Sequence, residues 1–348
     1  MARTRRKGTG ITIQAVAERA GVSAMTVSYV INGTGRVSAA TRETVLAAVS
    51  ELGYQPNIAA RSLASAATCR IGVVYQSSQN AFLSAMLVGA LNATSRLGVE
   101  LTVGKVDAPV LANAEQAMRG LVRSGANAIL LAPPYGELVS GTGLIDALGV
   151  PVAAVAHGGA LPDMATVGVD DREAVRAMID RLIARGHRRI GLVTGPDTHD
   201  SSPLRADGFR DAIDAAGIAW DETLVRPGQF TFESGVAAGE ALLDLPDPPT
   251  AIFASNDDMA SGVSSAIHRR NLRIPQDIAV AGFDDAPIAV KIWPSLSTVR
   301  QPIEQIAERA TEWLVAQVTG RGGDGERAIR IPFEVIERES SAFDLAQL

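Results

Sequence analysis

One cysteine, Cys69, in 348 residues leaves no partner for an internal disulfide, which suits a reducing compartment and argues against a small disulfide-stapled secreted fold. The same scarcity removes any Cys pair for zinc, and the four histidines (His157, His187, His199, His268) are scattered; His187, in "RGHRRI", reads as a helix-end cap rather than a ligand. Long hydrophobic runs are also missing. Stretches such as "IGVVY" and "AILLA" fall far short of the roughly 20 residues that span a bilayer, so no membrane segment is expected. Arg3 to Lys7 look like the start of a signal peptide, but "GTGITIQAVAERAG" interrupts any apolar continuation with Gly, Thr, Gln and Glu, and a cytoplasmic protein is expected.

Catalytic signatures are absent as well. No G-x-S-x-G and no H-E-x-x-H occurs, and "GTGLID" opens like a dinucleotide fingerprint but lacks its third glycine. Asp257 with Asp258, and Asp284 with Asp285, are adjacent pairs, and adjacent residues point to different faces, so neither forms an acid/base dyad as it stands. These absences predict no enzyme, no cofactor and no metal site.

What is present is an uneven distribution of charge. Residues 1–68 hold eight Lys/Arg (Arg3, Arg5, Arg6, Lys7, Arg19, Arg36, Arg42, Arg61) against Glu18, Glu43 and Glu51. Removing that +5 from the whole-chain −6 leaves −11 on the other 280 residues. One end of the chain is suited to a polyanion and the remainder is not.

The basic end also carries helical periodicity. Ile13, Val16, Ala17 and Ala20, then Val27, Val30 and Ile31, recur at spacings of three and four, with Gly21 between the two runs. Thr12, Ser23 and Ser38 each precede a helical run, where a hydroxyl caps the first turn, and Gly53 can close the third helix in a left-handed conformation. Two helices across a tight turn, sharing a core of Val16, Val22 and Val27 and exposing Ala24, Met25, Ser28, Tyr29 and Asn32 on the second, describe a helix-turn-helix that binds DNA. Residues 58–67, "IAARSLASAA", hold one large apolar side chain, Leu63, and cannot bury themselves alone. From Arg70 onward, short apolar runs alternate with amphipathic stretches in two series that break near Thr166 to Asp171. That pattern predicts two α/β lobes built on parallel sheets, with a ligand cleft at the carboxyl ends of their strands.

Several ordered segments, "TIQAVAERAGVSAMTVSYVING", "VSAATRETVLAAVSELGYQPNIAARSLAS", "GHRRIGLVTGP", "SNDDMASGV", "IPQDIAVAGFDD" and "PSLSTVRQP", resemble the landmarks of the LacI/GalR family of bacterial transcriptional regulators from Thr12 to the last strand. The resemblance implies a homodimer whose paired headpieces bind a palindromic operator, hinge helices that form on DNA, and a periplasmic-binding-protein-like body that senses a small effector. The expected organisation is a helix-turn-helix headpiece over 1–57, a hinge over 58–69 and a body over 70–348. Within the body, the N-lobe is expected over about 70–168 and 301–327, and the C-lobe over 169–300 and 328–348. By the same resemblance Ala24, Met25 and Tyr29 read bases, while Thr12, Ser23, Thr26, Ser28, Asn32, Ser38, Thr41 and Asn57 contact phosphates. Leu63 matches a hinge leucine that wedges into the minor groove, and Arg61 lies near the same groove.

Effector contacts carried over in this way are Phe82, Arg205, Phe230, Asn256 and Asp284. A charged fork, an amide, a carboxylate and aromatic faces suit a sugar, whose hydroxyls both donate and accept while its C–H faces stack. The chain departs from the family pattern at "VAAVAHGG": Ala156 and His157 stand where many relatives place an acidic or other polar residue. The combined reading is an effector-responsive regulator, in particular a repressor of a carbohydrate-utilisation operon. A transport-type solute-binding protein and a sugar-metabolising enzyme are the competing classes. The segment after the last strand, "ESSAFDLAQL", is too short for a tetramerising heptad helix, so a dimer is expected.

Overall fold

The computed structural model describes residues 12–32, 37–54, 69–76, 81–157, 159–323 and 326–342, with the side chain of Asn32 left aside. The chain divides into two compact units, Met1–Thr68 and Cys69–Leu348.

Among the described residues of the first unit, three helices form where the sequence supplies caps. Helix α1 (Ile13–Ala20) starts at Thr12, whose hydroxyl accepts from the Ala15 amide at 3.3 Å, and stops at Gly21, which takes φ 66°. A side chain at that φ would be strained, so glycine sets the turn. Helix α2 (Ala24–Asn32) is entered through Ser23, which accepts from the Thr26 amide at 3.1 Å. Helix α3 (Ala39–Leu52) runs from a Ser38 cap to a left-handed Gly53. Val16, Ala17, Val27, Val30, Val45 and Ala48 make a closed core, with Val22 packed beside it. An Arg19–Glu51 ion pair at 2.6 Å ties α1 to α3, but more than half of each side chain is exposed, so apolar burial holds this unit together.

The second unit contains two sheets. In chain order the first lobe has β1 (Arg70–Gln76), α4 (Ala81–Leu97), β2 (Glu100–Val106), α5 (Leu111–Arg123), β3 (Ala128–Leu131), α6 (Tyr135–Val139), α7 (Leu144–Leu148), β4 (Val152–Val155) and β5 (Ala165–Gly168). The second lobe has α8 (Asp171–Ala184), β6 (Ile190–Thr194), α9 (Ser201–Ala215), β7 (Val225–Pro227), α10 (Phe232–Leu243), β8 (Ala251–Ala254), α11 (Asp257–Arg269), β9 (Ala279–Asp284) and β10 (Ser297–Arg300). The chain then returns to the first lobe for α12 (Ile303–Val318) and β11 (Ala328–Arg330), and ends in the second with β12 (Glu334–Ile336). Sheet orders are β11-β5-β4-β3-β1-β2 and β12-β10-β9-β8-β6-β7, parallel throughout except for β12 against β10. Fully buried β3, β4 and β8 read as continuous apolar runs because helices cover both faces. One core spans both lobes on the side of the crossing strands, from Ile71 and Val73 to Phe253 and Phe283, and each sheet has a separate core on its far face.

The lobe boundary differs from the sequence expectation at one place. "AIRIPFEVIER" is not one C-lobe strand: Ala328–Arg330 pairs in parallel with β5 in the first sheet, and only Glu334–Ile336 joins the second. Pro332 breaks the run because it cannot donate to a ladder. The third crossing therefore lies at 331–333, not at 327–328. β5 and β10, four residues each, are additional strands; both stand just before a crossing, and neither carries a long apolar run.

Candidate functional sites

The headpiece presents an exposed face on α2. Met25 is 65% and Tyr29 40% exposed, one turn apart on that face. Ala24 is half-buried against the headpiece core, so among these positions it is the least available to a ligand. The expected phosphate contacts Thr12, Ser23, Thr26, Ser38 and Thr41 cluster at three helix N-termini, where free amides and the helix dipole favour anions. Ser23 and Thr26 share a 2.9 Å hydroxyl bond, and Ser38 and Thr41 a 2.8 Å one. Ser28 is half-buried on α2, and Asn32 is its last residue. Asn57, Arg61 and Leu63 lie outside the described residues.

In the body, a cavity of about 560 Å³ opens between the lobes at the carboxyl ends of the strands. The sequence-expected Phe82, Arg205, Phe230, Asn256 and Asp284 all line it. Arg205, 4% exposed, donates from Nε to Asp171 Oδ1 at 2.7 Å and from Nη1 to the Ser255 carbonyl at 2.5 Å. Its guanidinium lies 3.7 Å over the Phe283 ring and 5.9 Å from that of Phe230. The fork is therefore charge-compensated and fixed in direction. Asn256 caps α11, accepting from the Met259 amide at 2.9 Å and donating to the Phe230 carbonyl at 3.2 Å, so part of its amide is already engaged.

Asp284 accepts from Gln301 Nε2 at 2.5 Å, and burial pushes its carboxyl up to about 6. The loop beyond it is held by Asp257, which accepts from Thr298 Oγ1 at 2.6 Å and from the Ala286 amide at 2.7 Å. Three lining residues other than glycine, Ala156 (φ 53°), Phe230 (φ 56°) and Asp284 (φ 121°), hold left-handed backbone conformations. Strain of this kind persists where surrounding structure over-determines it, and here it aims side chains at one cavity.

Sequence reasoning missed several lining residues: Gln76, His199, Asp258, Glu233, Gln229 and Gln301. Asp258 and Glu233 sit in the first turns of α11 and α10, directly after strand-end motifs, and that position was the available signal. Burial and the neighbouring Glu233 push the Asp258 carboxyl up, while burial holds His199 down at about 4, edge-on to Phe230 at 5.3 Å. His187 does not cap through its side chain. It is buried, bonds Thr250 Oγ1 at 3.0 Å through Nδ1, and burial lowers it to about 4; only its backbone amide reaches a helix carbonyl, that of Leu182. Among the described residues, Glu137, His157 and Asp200 come together with potential ligand atoms within 4.8 Å of one another, a constellation that sequence order did not suggest.

Fold and sites together define an effector-sensing DNA-binding protein: a helix-turn-helix unit joined to a two-lobed binding body. Residues 12–57 match the family described as bacterial regulatory proteins, lacI family, and residues 179–341 match a periplasmic binding protein-like domain. The HTH-type transcriptional regulator CelR of Thermobifida fusca is 34% identical over 336 residues, covering 94% of this chain and 98% of its own. The structure of a CelR–cellobiose complex superposes with a TM-score of 0.71 at 32% identity, covering 95% and 99% of the two chains. The lac repressor dimer bound to operator and an anti-inducer gives 0.74 at 27% identity, covering 96% and 99%. The chain belongs to the LacI family of bacterial transcriptional regulators. It is a DNA-binding regulator and not an enzyme. Among the described residues no helix is long and apolar enough to cross a membrane.

Proposed function

We propose that this regulator works in the cytoplasm as a homodimer, repressing a carbohydrate-utilisation operon by binding a palindromic operator, and that an uncharged sugar in the interlobe cleft controls it. The observation that carries the effector class is the charge balance of the cavity. Among the described residues that line it, the one guanidinium, Arg205, is spent on Asp171 and Ser255, while Glu233, Asp258 and Asp284 contribute carboxylates. A phosphorylated sugar would meet three acceptors of its own sign, whereas hydroxyl groups satisfy carboxylates and amides alike and sugar C–H faces stack on Phe82 and Phe230. About 560 Å³ lies within the usual range for a small-molecule site, and the cellobiose bound by the related CelR is a ligand of the proposed class.

On the DNA side, Met25 and Tyr29 would meet base edges while hydroxyls at the helix N-termini meet phosphates. Asn57, Arg61 and Leu63 are proposed to continue this contact along the hinge, with Leu63 as a minor-groove wedge. Exposed apolar side chains on the body, Val88 and Leu91 on α4 and Val290 and Trp293 before β10, suit a dimer face. Sugar closing the cleft would shift the lobes within the dimer and so bias which pose lets both hinges pack on DNA. Calorimetric titration with a panel of neutral di- and monosaccharides and their phosphates, paired with operator-binding anisotropy, tests the proposal. Binding confined to phosphorylated sugars would overturn the effector class.

A further inference from the structure

We propose that His157, Asp200 and Glu137 form a latch between the lobes that sets how readily the cleft closes, although none of the three lines the cavity. His157 follows β4 in the first lobe and Glu137 lies on α6 of the same lobe, while Asp200 immediately precedes α9 in the second. His157 Nε2 is 3.0 Å from Asp200 Oδ2, and the Asp200 amide donates to Glu137 Oε1 at 3.3 Å. One residue of the second lobe is thus held by the first through both its side chain and its backbone.

The direction of the histidine bond follows from its other nitrogen. Nδ1 lies 3.1 Å from the Gly159 amide, which donates to it, and 3.0 Å from the Gly159 carbonyl, which the Thr166 hydroxyl engages at 2.8 Å. With Nδ1 accepting from the amide, Nε2 carries the proton and donates to Asp200. An imidazolium donates from Nε2 as well, and the remaining tautomer would set a lone pair against a carboxylate. Both compatible protonation states give the same cross-lobe bond.

The local backbone is arranged around this ring. Ala156 holds φ 53°, and at Gly168, the end of β5, a Cβ would lie 2.6 Å from the His157 carbonyl oxygen, so glycine is required for the two segments to pass. The imidazole is 5% exposed, whereas the Asp200 side chain is 52% exposed and caps nothing in its own helix. Asp200 adjoins His199 and Ser201, both of which face the cavity, and Arg205 follows one turn later. Fixing residue 200 therefore positions three cavity groups without touching the ligand space.

The effect on effector affinity rests on the cleft being the effector site, so the decisive measurement is made without effector. In the full-length protein, spin labels at cysteines introduced at the exposed Gln116 on α5 and Ala237 on α10 report the interlobe distance by pulsed electron resonance; Cys69 is buried. Asp200→Ala and His157→Ala should broaden the distribution and shift it several ångströms longer. His157→Gln, which retains an N–H donor near the Nε2 position, should keep the wild-type distribution, a distinction that a purely structural role for the ring would not produce. A wild-type distribution in Asp200→Ala, whose exposed side chain makes the fold insensitive to its loss, overturns the latch, as does identical behaviour of the Gln and Ala variants of His157. With cellobiose as probe, Asp200→Ala should weaken binding about tenfold. If the wild type does not bind cellobiose, the proposed ligand fails while the distance result still decides the latch.

Discussion

Replacing Arg205 with alanine should damage the body before it tests effector recognition. Asp171 and Arg205 are 2% and 5% exposed at the side chain and 2.7 Å apart, so truncating the arginine leaves a carboxylate buried without its cation. Removing one partner from such a pair costs about 3–5 kcal/mol. At roughly 2 °C per kcal/mol for a body of this size, the melting temperature should fall by about 6–10 °C. The pH dependence separates lost charge pairing from lost packing. Burial raises the Asp171 carboxyl and Arg205 is the first group holding it down, so the variant's carboxyl rises further. A group whose folded pKa lies above its unfolded value of roughly 3.9 costs nothing below that value and destabilises progressively as pH climbs to the folded one. Relative to wild type, the deficit should be small near pH 4 and greatest at neutrality, and Asp171→Leu combined with Arg205→Met should recover most of it. Calorimetric scans of the 69–348 body across pH 4–8 make the measurement. A melting temperature within 2 °C of wild type at pH 7, or a deficit independent of pH, would refute the buried-pair argument.

Other outcomes follow from the two sites. Asp284 titrates at about 6, so if its carboxylate accepts sugar hydroxyls, affinity should fall as pH drops from 7.5 to 5, and Asp284→Asn should flatten that profile; a wild-type slope in the variant excludes Asp284 from the contact. Met25→Gln should shift preference toward adenine at one symmetric position per half-site by about 1–3 kcal/mol, read by selection from randomised half-sites, and an unchanged preference everywhere would place residue 25 away from the bases. Leu63→Ala should weaken operator binding far more than non-specific binding, because only a correctly spaced palindrome brings two wedges to one kinkable step; equal losses in titrations on operator and random DNA would refute the wedge. Operator affinity should fall steeply with salt and vanish without residues 1–68, and a truncated chain that still binds would remove the headpiece from the interface.

Local chemistry was enough to locate the headpiece helices. Thr12, Ser23, Ser38, Gly21 and Gly53 act within a turn of themselves, so capping and left-handed closure are decided by neighbours in the chain. Alternating apolar runs likewise revealed two parallel-sheet lobes, since a strand covered on both faces must be apolar along its length. The sequence-expected cavity residues also converge on one cleft, because strand-end motifs in such folds face the same side. Long-range contacts decided the rest. Nothing local to "AIRIPFEVIER" says that its halves join different sheets; only the pairing of one half with β5 and of the other with β10, each adding the outermost strand of its sheet, divides it at Pro332. Arg205 reads in sequence as a free ligand fork, yet burial beside Asp171 turns it into a fixed and neutralised one. Glu137, His157 and Asp200 are distant in sequence and meet because the lobes do. By itself, then, the sequence determined the headpiece helices, the longer apolar strands and the family, which depend on periodicity and nearest neighbours. The charge state of the cavity and the bond across its lobes were decided only by tertiary structure, because desolvation and interlobe distance belong to the folded chain and to no segment of it.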